Sequence, residues 1–189
     1  MIIPEPLIKV FVNGLSEEVM KRTHDFLFSP NLPWCFSQTS HTDSDSVDNP
    51  DSPTFWESKI DINKNEIISN LWDEMYTIIK NENIIDENLE VIRTYANGQT
   101  YGLNGGIHQD DISDGTITVL YYPVNEYWNP EWHGETFFYS DDISHITAAC
   151  IPRRNSFVVF DSQIPHVGMA PNKQYNGLRV TLAFKCRKV

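Results

Sequence analysis

A mainly β protein with N-terminal helices is the fold class this sequence predicts, on three observations. From residue 91 onward, short β-rich runs follow one another closely: VIRTY, GGIHQD, TITVLYYPV, GETFFY, NSFVVFD, PHVGM and LRVTLAFK. Asn, Gly, Pro and Asp separate them. Before residue 91, two segments carry apolar residues at helical spacing. No internal repeat is visible, and 189 residues suit one domain that buries a real core. Strands in a run after helices argue for a sandwich or barrel with helices packed on one side.

Taken in order, residues 7–12 (LIKVFV) form a short strand. Ser16 is a good N-cap, and Glu17 and Glu18 follow in the first turn, where the helix dipole favours anions. Val19, Met20, Thr23, Phe26 and Leu27 share one helical face, with Pro30 just beyond the end. A second helix runs over 65–80, its face made of Ile67, Ile68, Leu71, Trp72, Met75, Ile78 and Ile79. Between the helices, SQTSHTDSDSVDNPDSPT has no Lys or Arg and almost nothing apolar, so residues 36–54 are expected to be a mobile surface loop or a lid over a ligand. The expected division is a helical support with this loop over 1–90 and a β core over 91–189, within one domain.

Charge narrows the function. The net charge is −12 and the pI about 4.8, which disfavours nucleic-acid binding, since gripping phosphates needs a basic stripe. No apolar run approaches the roughly 18 residues of a membrane span. The start, MIIPEPLIKVFVNG, is broken by two prolines and lacks a basic n-region, so no signal peptide is expected. Cys35, Cys150 and Cys186 are odd in number and not at CxxC spacing, which predicts reduced thiols in a cytoplasmic protein. The Asn/Ile/Lys-rich texture around NKNEIISN hints at an AT-rich bacterial or viral genome, in the latter case with a host-cytoplasmic protein.

Six histidines make a metal the natural question. His-x-Asp on a strand points two ligands to one side, and two His plus one carboxylate on an open face suit non-heme Fe(II). His41-Thr-Asp43 falls in the polar loop, and His133-Gly-Glu135 uses Glu. His108-Gln-Asp110 precedes the strongest strand, and only this pair is followed by a lone His on another strand, His166, with a cation, Arg179, beyond it. Arg179, Thr181 and Ala183 share one strand face, and a buried Arg there needs an anion.

The stretch 91–186 resembles the Fe(II)/2-oxoglutarate-dependent oxygenases, and within them the prolyl 4-hydroxylase-like group. VIRTYANGQTY is similar to that group's Tyr-x-x-Gly-Gln-x-Tyr segment, IHQD to its first two ligands, and TITVLYYPVN to the following strand. HGETFFY resembles its Gly-Gly-Glu-Thr strand, IPRRNSFVVFD its Pro-x-x-Gly turn, PHVG its distal His, and LRVTLAF its cationic anchor. The resemblance implies a double-stranded β-helix (jelly-roll) core. It implies that His108, Asp110 and His166 hold Fe(II), and that Arg179 pairs with the distal carboxylate of 2-oxoglutarate, helped by Thr181, Tyr95 and Tyr122. It places Tyr101, Trp132 and His133 toward substrate.

The implied reaction consumes O2 and 2-oxoglutarate, with ascorbate as an accompanying reductant, and hydroxylates a prolyl residue of a peptide or protein. A free amino acid or other small molecule is the alternative substrate, and a non-catalytic metal- or oxo-acid-binding jelly roll the alternative class. A monomer or weak dimer is expected. Four departures stand out: a longer Leu103–Ile107 link, His133 and Asn155 where the family has Gly, and Arg179 where many members have Lys.

Overall fold

The computed structural model describes residues 7–38 and 53–189. Among these residues, ten strands and two α-helices run in the order β1 (Ile8–Val12), α1 (Glu17–Leu27), β2 (Cys35–Gln38), β3 (Phe55–Ile60), α2 (Glu66–Asn81), β4 (Leu89–Gln99), β5 (Thr116–Tyr122), β6 (Thr136–Tyr139), β7 (Ile146–Cys150), β8 (Ser156–Asp161), β9 (His166–Gly168) and β10 (Arg179–Lys188). They form a seven-stranded sheet, β1-β8-β5-β10-β4-β3-β2, and a three-stranded sheet, β7-β6-β9. Every pairing in both sheets is antiparallel. This is the jelly-roll core that the resemblance implied.

Strand alternation sorts the large sheet into two faces, each with its own apolar layer. Ile117, Val119 and Tyr121 of β5, Phe157 and Val159 of β8, and Val180, Leu182 and Phe184 of β10 pack with the helices. Leu120, Tyr122, Val158, Phe160 and Ala183 point the other way, to Phe138 of the small sheet. β5 is therefore buried at all seven positions, which is why TITVLYY reads as an almost unbroken β-former run.

Both helices begin as the sequence predicts. The Ser16 hydroxyl accepts from Val19 N, and Asn65 Oδ1 accepts from Ile68 N, each satisfying an amide that the helix itself leaves open. Ser16 also donates to Glu74 of α2, through its Oγ at 2.6 Å and its N at 2.8 Å, so one residue caps α1 and ties the helices together. Ile68, Leu71, Met75 and Ile79 of α2 are fully buried, each stabilising the packed state by roughly 1.5–3 kcal/mol.

Three differences from the sequence expectations concern strands. β2 and β3 extend the large sheet, so the first 90 residues supply three strands as well as the helices. FWESKI hides its strand character because Glu57 and Ser58 are buried polar residues that break the apolar alternation. β2 runs through Gln38, so residues 36–38 of the segment expected to be a loop are strand; residues 39–52, with His41 and Asp43, lie outside the described residues. Among the described residues β7 pairs only with β6, and it is largely exposed, which leaves ITAAC little hydrophobic pattern to read.

Asn155 does more than stand in for a glycine. Its φ of 53° is left-handed, which Asn tolerates, and its side chain accepts from Leu15 N at 2.9 Å and donates to Leu15 O at 3.0 Å. It thus pins the β1–α1 link. Cys35, Cys150 and Cys186 are all unpaired, and burial pushes the Cys186 thiol up to about 12. Among the described residues, no helix is long and apolar enough to cross a membrane.

Candidate metal centre

One antiparallel bridge positions the cluster. His108 N donates to His166 O at 3.0 Å and His166 N returns a bond to His108 O at 2.9 Å. Residues exchanging both bonds across a bridge project side chains to the same face, and the two rings lie 4.5 Å apart. Asp110 follows His108 by two residues and points the same way, its own amide held by Ser162 O at 2.9 Å. The result is three ligand atoms within 4.8 Å of one another. Nε2 of His108 is 3.4 Å from Asp110 Oδ1, and Nε2 of His166 is 3.4 Å from Oδ2. Among the described residues no other group of three His, Cys, Asp or Glu converges in this way.

The second hydrogen bond on each imidazole fixes which nitrogen is free. His108 Nδ1 donates to Gly106 O at 2.9 Å and His166 Nδ1 to Ile164 O at 2.8 Å, which leaves both Nε2 lone pairs aimed at the gap. Burial brings His166 down to about 4, so its ring is neutral and able to coordinate at neutral pH. Burial pushes the Asp110 carboxyl up, but Lys185 and the two histidines outweigh it and hold the group well below the usual carboxylate range. Two imidazoles that present Nε2 and one carboxylate on an open face are the donor set that suits Fe(II), so the residues present fit the implied metal.

The cluster opens onto a cavity between the sheets. β10 contributes Arg179, Thr181, Ala183 and Lys185 from one face, β4 contributes Tyr95, Asn97 and Gln99, and β5 contributes Thr118 and Leu120. Arg179 is 1% exposed, yet all its partners are neutral: Gly134 O at 2.7 Å, Gln99 Oε1 at 2.7 Å and Thr136 Oγ1 at 3.2 Å. Burial pulls its guanidinium down to about 10 against smaller opposing effects of Tyr122 and Glu135, still a cation at neutral pH, and among the described residues no carboxylate comes within ion-pair distance of it. Asn97 Oδ1 is buried in the same wall without a partner. A buried cation left without an anion is costly unless a ligand brings one.

By sequence, the chain matches no family model and no curated protein. By structure, it is similar to a prolyl hydroxylase from Trichoplax adhaerens in complex with a hypoxia inducible factor peptide fragment (TM-score 0.70, 17% identity, covering 96% of this chain and 83% of that one). It is similar to the viral collagen prolyl hydroxylase of Paramecium Bursaria Chlorella virus-1 in complex with 2OG (0.65, 11%, 98% of each chain). It is also similar to HygX from Streptomyces hygroscopicus with nickel, 2-oxoglutarate and hygromycin B bound (0.67, 11%, 97% and 84%). The fold is that of the 2-oxoglutarate/Fe(II) oxygenases.

In this oxygenase fold the predicted residues divide. His108, Asp110 and His166 converge, and Arg179, Thr181 and Tyr95 line the adjoining cavity. Tyr122 is buried on the expected face but acts one step away: its hydroxyl donates to Thr136 Oγ1 at 2.9 Å, and Thr136 receives Arg179. Tyr101 is 65% exposed on the turn after β4 and does not line the cavity. Trp132 packs with Trp128 and Tyr175 instead, in a separate aromatic cluster. Trp128 lies behind Gly134, where a Cβ would come within 3.0 Å of its ring and 3.3 Å of Arg179 Cδ, so only glycine fits.

His133 is exposed, 3.7 Å from Glu135 through Nδ1, and its backbone sits at φ 60°, ψ −144°, a conformation nearly reserved for glycine. That accounts for the family's glycine at this place. His133→Gly should relieve about 1–3 kcal/mol of strain and give back about 0.5–1 through the freer unfolded chain. The expected net gain is about 1 kcal/mol, seen as a higher urea midpoint at unchanged slope.

Sequence reasoning misses Lys185, Thr118, Gln99 and Thr136. Lys185 had a readable signal, since it continues the alternation of Arg179, Thr181 and Ala183. It ion-pairs with Asp110 Oδ2, the oxygen that Thr118 Oγ1 also donates to at 2.7 Å.

Proposed function

We propose that this chain is an Fe(II)- and 2-oxoglutarate-dependent dioxygenase that hydroxylates a prolyl residue of a peptide or protein. The observation that carries the reading is a single cavity holding both a His-Asp-His cluster and Arg179, a buried cation that, among the described residues, ion-pairs with no carboxylate. The balanced reaction is R–H, O2 and 2-oxoglutarate giving R–OH, succinate and CO2. An Fe(II) ion held by the three ligands supplies the redox chemistry that couples decarboxylation to oxygen insertion.

The chain's own residues do the rest. His108, Asp110 and His166 would hold the ion through donor atoms that lie within 4.8 Å of one another. Arg179 receives the distal carboxylate of the oxo acid; charge-assisted bonds of this kind contribute about 1.5–3 kcal/mol each. Gly134 O, Gln99 and Thr136, the last held by Tyr122, fix the guanidinium before the ligand arrives. Thr181 and Tyr95 flank the oxo acid, and Leu120 and Phe160 keep that wall of the cavity apolar. Three unpaired thiols support a cytoplasmic setting, and a monomer or weak dimer goes with this reading.

The prolyl substrate is supported by the resemblance of VIRTYANGQTY and HGETFFY and by the likeness to two prolyl hydroxylases. The likeness to HygX with hygromycin B bound favours a second reading, a small-molecule hydroxylase. Mass spectrometry of proline-containing peptides incubated with protein, Fe(II), ascorbate and 2-oxoglutarate decides between them. An oxygen added to proline is expected. Succinate without any modified peptide would move the assignment to the small molecule, and no succinate at all would leave only a binding module.

A further inference from the structure

Among the described residues, Lys185 is the one charged group in the cavity wall that the proposed reaction does not use. It stands in the middle of a ten-residue strand, 9% exposed, beside the metal ligands. Its ammonium ion-pairs with Asp110 Oδ2, lies 3.4 Å from Thr118 Oγ1 and sits 5.6 Å from the centre of the Tyr95 ring. The Thr118 hydroxyl donates to the same Asp110 oxygen at 2.7 Å. Two donors therefore grip Oδ2 from the side of the large sheet.

We propose that Lys185 is a positioning residue and a built-in counter-ion that sets the charge of the metal centre against the bare cation and in favour of the anionic oxo acid. This rests on the metal-site reading above. In the form in which they bind a cation, two imidazoles and one carboxylate sum to −1, and a divalent ion brings that to +1. With Lys185 the same centre stands at 0 when empty and +2 when loaded. Lys185 thus repels an incoming divalent ion across a few ångströms of low-dielectric interior, and attracts the dianionic oxo acid that follows it. Either effect separates cleanly from orientation, because orienting Asp110 alone would favour the metal.

The test titrates metal-stripped protein with Mn(II), followed by electron paramagnetic resonance, then titrates 2-oxoglutarate into the Mn(II)-loaded protein by calorimetry. Lys185→Met is expected to bind Mn(II) about 10-fold more tightly and 2-oxoglutarate about 10-fold more weakly than the parent. Lys185→Gln removes the charge but keeps a donor for Asp110, and is expected to shift both constants in the same directions should the Met variant fail to fold. Thr118→Val loosens Asp110 without changing charge and is expected to weaken Mn(II) binding only. If neutral variants at 185 weaken Mn(II) binding as Thr118→Val does, Lys185 merely orients Asp110 and the counter-ion role is overturned. A parent protein that binds no Mn(II) overturns this inference together with the metal-site reading, whereas a binding parent with unshifted variants overturns this inference alone.

Discussion

Replacing His108 by Ala is expected to weaken Mn(II) or Fe(II) binding more than ~100-fold and to abolish succinate formation, while leaving the fold in place. Loss of a mere outer partner of a metal ligand costs roughly 10–100-fold, so loss of the ligand itself exceeds that. His108 is the cleaner probe of the triad because its side chain is 22% exposed, against 6% for His166. His166 is packed among Phe138, Phe160 and the His108 ring, and removing it would open a void as well as a coordination position. Asp110 is no better, since its loss strands Lys185 as an unpaired buried ammonium. Calorimetric metal titration beside thermal unfolding separates the outcomes. Unchanged metal affinity with intact folding would remove His108 from the centre.

The second large effect has opposite signs in two assays. Arg179→Met should lose the distal-carboxylate contact and raise the 2-oxoglutarate KM by about 10²–10⁴-fold, the equivalent of two charge-assisted bonds. The ligand-free protein should nonetheless be as stable as the parent or more so, because the substitution removes a buried cation that has only neutral partners. With Mn(II) saturating in both, adding 2-oxoglutarate at 100 times the parent's Kd should stabilise the parent by about 2.7 kcal/mol more and the variant by about 0.4 kcal/mol at most. A variant that is destabilised and still stabilised by the oxo acid would show that Arg179 is structural and the anion site lies elsewhere.

Much of this site could be read along the chain because its logic is local. His108 and Asp110 share a face by two-residue spacing, and Arg179 stands out as a cation in an apolar strand. What escaped depends on partners distant in sequence. The alternation of Thr118, Leu120 and Tyr122 gives Tyr122 its face, but its route to Arg179 runs through Thr136 of the other sheet. Lys185 closes the run LRVTLAFK and so looks like a solvated strand end, whereas β10 continues through Cys186 to Lys188. The expectation that Tyr101, Trp132 and His133 face substrate came from their places in the family pattern. Tyr101 and His133 are exposed, and Trp132 joins the aromatic cluster behind Gly134.

β10 carries Arg179, Thr181, Ala183 and Lys185 on one side and Val180, Leu182, Phe184 and Cys186 on the other. Both sides are committed, so the reading frame of this strand is locked. Deleting or inserting one residue within it would drive Phe184 into the polar chamber and Lys185 into the layer under α2, losing chemistry and stability together. Length variation compatible with a working molecule is thereby confined to the connections, and substitutions on the helix side of β10 act on the chamber at second hand.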